Sequence, residues 1–248
     1  MNTSPIPVDI LAIGVHPDDV ELSCSGTLLR HINLGYRVGL LDLTRGELGS
    51  RGSAEIRTAE ALTSAQQMGA SFRHNLDLPD GFIQWNEATL RAIIQVIRAC
   101  QPSIVLANAT SDRHPDHGRA AKITSDACYY SGLLKIETAD DSGKPQEKWR
   151  PKALYHYVQD RNISPNLTVD ISDFLEQKME LIQCFRSQFN QEENNEYAEE
   201  PSTPISGKSF MEYQRAKAKV YGRDAGYDYA EAFIFERLPG VPDLLKLD

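Results

Sequence analysis

Short apolar runs alternate with longer amphipathic segments along most of the chain, and glycine or proline ends many of them. Apolar runs of strand length followed by helical periodicity are typical of a mostly parallel sheet covered by helices on both faces. The predicted strands are 10–15, 37–43, 72–78, 104–107, 153–158, 167–170 and 232–236. The predicted helices are 18–34, 54–68, 87–99, 114–130, 172–185 and 210–221.

The remaining segments are polar connections. Residues 132–150 are predicted to lack regular structure, and residues 191–204, which include five glutamates, are predicted to form a surface loop. We find no repeat of solenoid length and no interdomain linker. We therefore expect one Rossmann-like α/β domain over residues 1–248, with its site at the carboxyl ends of the strands.

Composition narrows the class of protein. The chain is 41% hydrophobic and 25% charged, as in an ordinary globular protein. Its net charge of −9 argues against a nucleic-acid backbone or an anionic membrane as the main partner. It shows neither a secretory signal nor an apolar run of about 18 residues, and its four cysteines lie far apart, so we expect a cytoplasmic protein with reduced thiols.

Two short segments carry the candidate chemistry. His16-Pro-Asp-Asp19 follows the first predicted strand, and His114-Pro-Asp-His117 follows the fourth and opens a helix. Both therefore lie at the strand ends where open α/β sheets bind their ligands. Two such turns at equivalent positions of different βα units are hard to explain as packing alone, so they indicate a metal site.

The residue types predict which side chains bind the metal. His16 and Asp19 are three residues apart and face one point, and His117 supplies a second imidazole. This facing argument favours Asp19 over Asp18, although the sequence alone does not rank the two. Two imidazoles and one carboxylate suit Zn²⁺, with iron(II) as the alternative, and three protein ligands leave one position for water.

The neighbouring residues predict a hydrolytic mechanism. Asp18, beside a ligand, is expected to take the proton of the attacking water as general base. His114 is expected to stabilise the developing oxyanion and to protonate the leaving amine. Asp116 is expected to fix the tautomer and charge of His114.

Together with Thr44-Arg-Gly-Glu47, Ser187-Gln-Phe189 and Tyr229-Ala-Glu-Ala-Phe233, these segments resemble the LmbE-like (PIG-L) zinc N-acetylglucosaminyl deacetylases. Within that family the chain is most similar to the bacillithiol biosynthesis deacetylases. The resemblance implies hydrolysis of the acetamide of N-acetylglucosaminyl malate, and it supports the roles given above. Another N-acetyl amino sugar, a chitooligosaccharide or a thiol-sugar conjugate is the alternative substrate, and a homo-oligomer is compatible with the family.

The malate group leads to a further expectation. Its two carboxylates suit arginine, which binds carboxylates with two parallel hydrogen bonds. The resemblance favours Arg57 and Arg150 as contacts, with Arg51 as a third candidate, and a solvated surface arginine is the alternative for each.

Other functional classes are less well supported. A nucleotide-dependent oxidoreductase would need the glycine-rich phosphate turn, and the first strand is not followed by one. A metal-binding protein without turnover would gain little from the second carboxylate of Asp18.

Overall fold

The computed structural model describes residues 1–189, 197 and 199–243. Within these residues seven strands form one sheet in the order β3-β2-β1-β4-β5-β7-β6. The strands are β1 (Ile10–Gly14), β2 (Val38–Thr44), β3 (Phe72–Leu78), β4 (Ile104–Ala107), β5 (Ala153–Tyr157), β6 (Leu167–Asp170) and β7 (Ala230–Phe235). The helices are α1 (Asp19–Asn33), α2 (Ala54–Met68), α3 (Glu87–Cys100), α4 (Pro115–Tyr130), α5 (Leu175–Gln183), α6 (Arg186–Phe189) and α7 (Lys208–Ala225).

Helices cover both faces of the central strands. Leu11 and Ile13 of β1 belong to a buried cluster that includes side chains of α3 and α4. Ile10 and Ala12 point to the other face, into a cluster with α1, α2 and α5. Burial on both faces explains why the sequence of β1 is continuously apolar rather than alternating.

The sheet confirms the predicted fold class. Strands β1 to β5 pair in parallel, whereas β7 runs antiparallel to its neighbours β5 and β6. All the predicted strands and helices are present, with boundaries shifted by a few residues. The predicted helix 172–185 opens with a 3₁₀ turn at Ser172–Phe174, and α7 extends four residues beyond its predicted end. The predicted loop 191–204 lies largely outside the described residues.

The parallel strands place several connections at one edge of the sheet. β1 and β4 are hydrogen-bonded neighbours, so the segments that follow them emerge side by side. Leu11 is level with Val105 in this pairing. The two His-Pro-Asp segments therefore meet although they are far apart in the chain. Among the described residues, no helix is long and apolar enough to cross a membrane.

Candidate active site

The three predicted metal ligands lie together at the carboxyl edge of the sheet. His117 Nε2 is 3.2 Å from Asp19 Oδ1, and His16 Nδ1 is 3.8 Å from Asp19 Oδ2. The imidazole ring centres of His16 and His117 are 5.6 Å apart. All three side chains are buried. One ion bonded at about 2 Å to each ligand is compatible with this spacing.

A carboxylate fixes the far side of each imidazole. His16 Nε2 is 2.9 Å from Asp80 Oδ1, and His117 Nδ1 is 2.5 Å from Asp112 Oδ2. The other oxygen of Asp80 accepts the backbone N–H of Leu48, so this carboxylate is itself held in place. The opposite ring nitrogens, His16 Nδ1 and His117 Nε2, are left to face Asp19. Carboxylates that orient metal-binding histidines in this way are common in zinc proteins.

The charges of the site favour a cation. Burial alone would raise the pKa of Asp19, but His117 and His16 more than reverse that effect and lower it. Burial disfavours the imidazolium form of His117, yet Asp19 and Asp112 raise its pKa to about 10. The carboxylates therefore attract positive charge to the point where these side chains converge. Imidazole nitrogens and a carboxylate oxygen also form the donor set expected for zinc.

His114 stands beside this group. Nitrogen atoms of His16, His114 and His117 all lie within 4.8 Å of one another, so geometry alone offers His114 as an alternative ligand to Asp19. We favour Asp19 because its carboxylate directly contacts His117 and supplies negative charge. His114 caps the amino end of α4, where its Nδ1 accepts the backbone N–H of Asp116. In the neutral ring this bond leaves the proton on Nε2.

The expected pairing of the Asp116 carboxylate with His114 is not formed. That carboxylate accepts hydrogen bonds from the backbone N–H of Gly81 and from Arg119, and it lies 3.8 Å from His16 Nε2. Because His114 caps the helix, the backbone N–H of Asp116 sets the tautomer of His114, while the negative charge of the Asp116 carboxylate opposes the fall in the pKa of His114.

Asp18 lies in the cavity next to the ligands in an unusual backbone conformation. Its φ angle is 121°, in the region that favours glycine, and the residue is 5% exposed. The Arg57 Nη2 group donates to Asp18 Oδ2 at 3.1 Å. Burial raises the pKa of the Asp18 carboxyl to about 7, although Arg57 opposes this shift. Asp18 is therefore a buried carboxyl group suited to proton transfer.

Two of the three arginines predicted to contact malate make hydrogen bonds to other parts of the fold instead. Arg51 donates to the backbone carbonyls of Ser187, Tyr197, Glu200 and Pro201. It is buried and is absent from the described lining of the cavity. Those carbonyl groups already use the donors of Arg51, so its contacts give no support to the predicted role in substrate binding.

Arg150 is also far from the site. It precedes β5 and thus lies at the amino end of a strand whose carboxyl end reaches the cavity. Its guanidinium stacks over the ring of Tyr129 and donates to the Tyr129 carbonyl. Arg57, by contrast, does line the cavity, but it donates to Asp18 and to the carbonyls of Gly46 and Pro17. Arg57 therefore orients the carboxyl group of Asp18.

Two amides that sequence reasoning missed hold the Asp19 carboxylate. Asn108, which follows β4, donates to Asp19 Oδ2 at 3.0 Å. Gln159, which follows β5, donates to Asp19 Oδ1 at 3.0 Å. Their side-chain types give no signal for a metal site. Their positions just past two strands were the one available clue.

The site opens into a cavity of about 380 Å³. His16, Asp18, Asp19 and Arg57 line this cavity, and α7 also contributes to its lining. The cavity is of a size that binds small molecules. The arrangement provides a cation site, a carboxyl group for proton transfer and an imidazole donor at one cavity, which are the parts needed for metal-assisted hydrolysis.

Comparison with known proteins agrees with this chemistry. The GlcNAc-PI de-N-acetylase family (PIG-L) matches residues 11–128, which include both His-Pro-Asp segments. The diacetylchitobiose deacetylase of Thermococcus kodakarensis is 29% identical over 243 residues, covering 94% of this chain and 84% of that protein. The uncharacterized deacetylase YaiS of Escherichia coli is 30% identical over 126 residues, covering 48% of this chain and 67% of YaiS.

A solved structure extends the similarity to nearly the whole chain. The conserved protein TT1542 from Thermus thermophilus superposes with a TM-score of 0.81 at 33% identity, covering 95% of this chain and 98% of that one. Both the shared motifs and the shared fold therefore point to one family. The chain belongs to the PIG-L family and is a hydrolase of the N-acetyl amino sugar deacetylase type.

Proposed function

We propose that the chain hydrolyses the acetamide of an N-acetylglucosaminyl conjugate with Zn²⁺ held by His16, Asp19 and His117. The observation that carries this proposal is the convergence of those three side chains beside the buried carboxyl of Asp18. Three protein ligands leave a coordination position for water or substrate. Iron(II) suits the same donors, so the identity of the metal is part of the test.

The reaction requires water to attack the acetamide carbonyl carbon, the C–N bond to break and the departing amine to gain a proton. When bound, the metal ion would polarise the carbonyl group and the water. Asp18 is the proposed general base that takes the proton of the attacking water. Arg57 keeps the Asp18 carboxyl oriented through its 3.1 Å hydrogen bond.

His114 is the proposed donor to the oxyanion and to the leaving amine. Its Nδ1 is occupied by the backbone N–H of Asp116, which leaves Nε2–H as the donor of the neutral ring. Burial, together with the positive charges of His16 and His117, lowers the pKa of His114. Asp116 acts instead near His16, since its carboxylate lies 3.8 Å from His16 Nε2.

The group attached to the N-acetylglucosaminyl unit is the finer part of the proposal. N-acetylglucosaminyl malate stays a candidate through the family resemblance, but Arg51 and Arg150 are no longer available as contacts. A hydroxyl-bearing group, such as the second sugar of diacetylchitobiose, is supported by the name of the Thermococcus relative. We therefore rank a neutral sugar or polyol first and malate second.

The decisive experiment combines metal analysis with a deacetylation assay. Purified protein is analysed for zinc and iron, and acetate release is then measured from N-acetylglucosamine, diacetylchitobiose and N-acetylglucosaminyl malate. We expect metal-dependent acetate release with a clear preference within this panel. Absence of acetate release from all three by metal-loaded protein would contradict the proposed function.

Variants separate binding of the metal from catalysis. Asp18→Ala should keep the metal while turnover falls by about two to four orders of magnitude, the usual contribution of a general base. His16→Ala and His117→Ala should each lose metal affinity. Loss of metal from Asp18→Ala with retention by Asp19→Ala would show that the roles of the two aspartates are exchanged.

A further inference from the structure

One wall of the cavity contains an unsatisfied polar group that the proposed mechanism does not use. Gln214, on α7, lines the cavity and is 3% exposed. Its Oε1 atom has no hydrogen-bond partner among the described residues. Buried polar atoms are nearly always hydrogen-bonded, so an unsatisfied amide at a cavity wall indicates a missing ligand.

Lys217 extends this wall toward the metal site. It lies three residues after Gln214, on the same face of α7, and also lines the cavity. Its Nζ group donates to the backbone carbonyl of Gln159 at 2.9 Å, and the side chain of Gln159 donates to Asp19. Lys217 therefore contacts a residue that itself contacts a proposed metal ligand. An ammonium group has three donors, so others remain for a ligand.

A second residue of the cavity lining has an unsatisfied donor. Arg57 lines the cavity, and its buried Nε–H group has no acceptor among the described residues. Residues that line the cavity thus offer the unused amide oxygen of Gln214, unused N–H groups of Lys217 and the unused Nε–H group of Arg57. Rotation of the Gln214 amide about its last torsion angle can present either its oxygen or its nitrogen to a ligand.

The charges of the cavity restrict the chemical class of that ligand. The carboxylates of Asp19 and Asp80 line the cavity and disfavour a ligand with several carboxylates. The guanidinium of Arg57 disfavours a ligand that carries an ammonium group. A hydroxyl group is neutral, and it both donates and accepts hydrogen bonds. Vicinal hydroxyl groups, as on a sugar or a polyol, therefore fit this set of donors and acceptors best.

We propose that Gln214 and Lys217 form a hydroxyl-binding wall that recognises the sugar or polyol portion of the substrate. The inference rests on the proposed function and adds to it the residues that select a carbohydrate over other acetamides. Gln214 accepts a hydroxyl proton or donates to a hydroxyl oxygen, and Lys217 donates to a second hydroxyl. Neither residue takes part in the proton transfers of hydrolysis.

The test uses zinc-loaded full-length protein and the variants Gln214→Leu and Lys217→Met. Acetate release is measured with N-acetylglucosamine and with N-cyclohexylacetamide, which has the same acetamide on a ring without hydroxyl groups. Each variant should lower kcat/KM for the sugar by about 3- to 10-fold, mainly through KM, as expected for one lost hydrogen bond. Turnover of the hydroxyl-free amide by Gln214→Leu should stay within about 2-fold of the parent protein, whereas Lys217→Met also loses its contact with Gln159 and is judged by the larger loss with the sugar.

Lys219→Met is the matched control. Lys219 lies on the same helix but pairs with Asp228 at the surface, so this variant should behave like the parent protein with both substrates. Gln214→Leu removes an unsatisfied buried amide, and we expect it not to lower thermal stability. The two variants lie at different positions of the wall, so a folding defect in one leaves the other as a test.

Calorimetric binding of N-acetylglucosamine to zinc-loaded protein provides a readout that does not depend on turnover. Weaker sugar binding by the folded variants supports the proposed wall even if the protein releases no acetate. Absence of acetate release would overturn the proposed function but not the wall. Unchanged sugar binding and unchanged KM in both variants would overturn the wall. An equal loss with the sugar and with N-cyclohexylacetamide would also overturn it.

Discussion

Asp18 combines a proposed catalytic role with an unfavourable backbone conformation. Its φ angle of 121° places a residue with a Cβ atom where glycine is normally found. The residue is also buried, and its side chain does not cap α1. Strain of this kind is often found at functional sites, where the surrounding structure enforces it. Here it directs a carboxyl group into the cavity beside the ligand Asp19.

This strain predicts an unusual order of stabilities. Asp18→Gly and Asp18→Ala both remove the carboxylate, but only glycine adopts this conformation without cost. We therefore expect Asp18→Gly to be the more stable of the two by about 1 kcal/mol, measured by urea unfolding. Asp126, inside helix α4, is the control, because there alanine should be the more stable replacement. An Asp18→Ala protein as stable as Asp18→Gly would show that the conformation is not strained.

Asp80 and Asp112 each hold one of the two imidazoles of the proposed metal site. Each contacts the ring nitrogen opposite the one that faces Asp19. Asp112 is further fixed by the backbone N–H groups of Asp160 and Arg161. Such carboxylates set the tautomer of a ligand histidine and increase its basicity.

Removing this support should weaken metal binding. Asp112→Asn is expected to lower zinc affinity by about 10- to 100-fold, the usual effect of losing such a carboxylate. Chelator competition measures this affinity without any assay of activity. Asp228→Asn, at a surface ion pair, is the control that should leave the affinity unchanged. Parent-like affinity in Asp112→Asn would show that Asp112 does not support the metal site.

At the scale of elements, helix α1 is held by a buried ion pair. Glu231, in the Tyr229–Phe233 motif, accepts the backbone N–H groups of Gly26 and Thr27. Lys178 of α5 donates to Glu231 and to the backbone carbonyl of Leu22. The pair therefore joins α5 and β7 to the helix that begins at Asp19. The role of this motif glutamate is thus structural.

Breaking this pair should destabilise the fold. Lys178→Met leaves Glu231 buried without a counter-charge, so the free energy of unfolding should fall by about 3–5 kcal/mol. The double variant Lys178→Met/Glu231→Gln should lose less than the sum of its single variants, because the uncompensated charge is gone. Lys219→Met, at an exposed pair, should cost at most about 1 kcal/mol. Strictly additive losses in urea unfolding would argue against a coupled pair.

At the scale of the molecule, the site joins strands that are distant in sequence. Its groups follow β1, β3, β4 and β5, and α7 completes the cavity. A metal ion at this point would therefore link several parts of the fold at once. Because a ligand that binds only the folded state stabilises it, metal content and stability should be coupled.

Removal of metal should accordingly lower thermal stability. At free zinc of 100 times the Kd, the stabilisation is about 2.7 kcal/mol. For a chain of this size that corresponds to a rise in Tm of roughly 5–10 °C over chelator-treated protein. His117→Ala should show a much smaller zinc-dependent shift in the same thermal scan. A parent protein whose Tm does not respond to zinc would contradict the proposed ligands.

The sequence by itself determined the fold class and the meeting of the two His-Pro-Asp segments, but it did not rank Asp18 against Asp19 as a metal ligand. The apolar runs could only be buried between two layers of helices, and the His-Pro-Asp segments had to emerge at the carboxyl edge because β1 and β4 are parallel strands. These conclusions depend on local patterns of residues, and such patterns can be recognised in a single sequence.

Only the tertiary structure decided which polar residues support the site. Asp80, Asp112, Asn108 and Gln159 have ordinary neighbours in sequence, and their contacts to the ligands exist only after separate loops meet. The hydrogen bonds of Arg51 to backbone carbonyl groups likewise form only in the folded chain. A side chain's partners depend on the distances between segments in the folded chain, and those distances cannot be inferred from the order of residues alone.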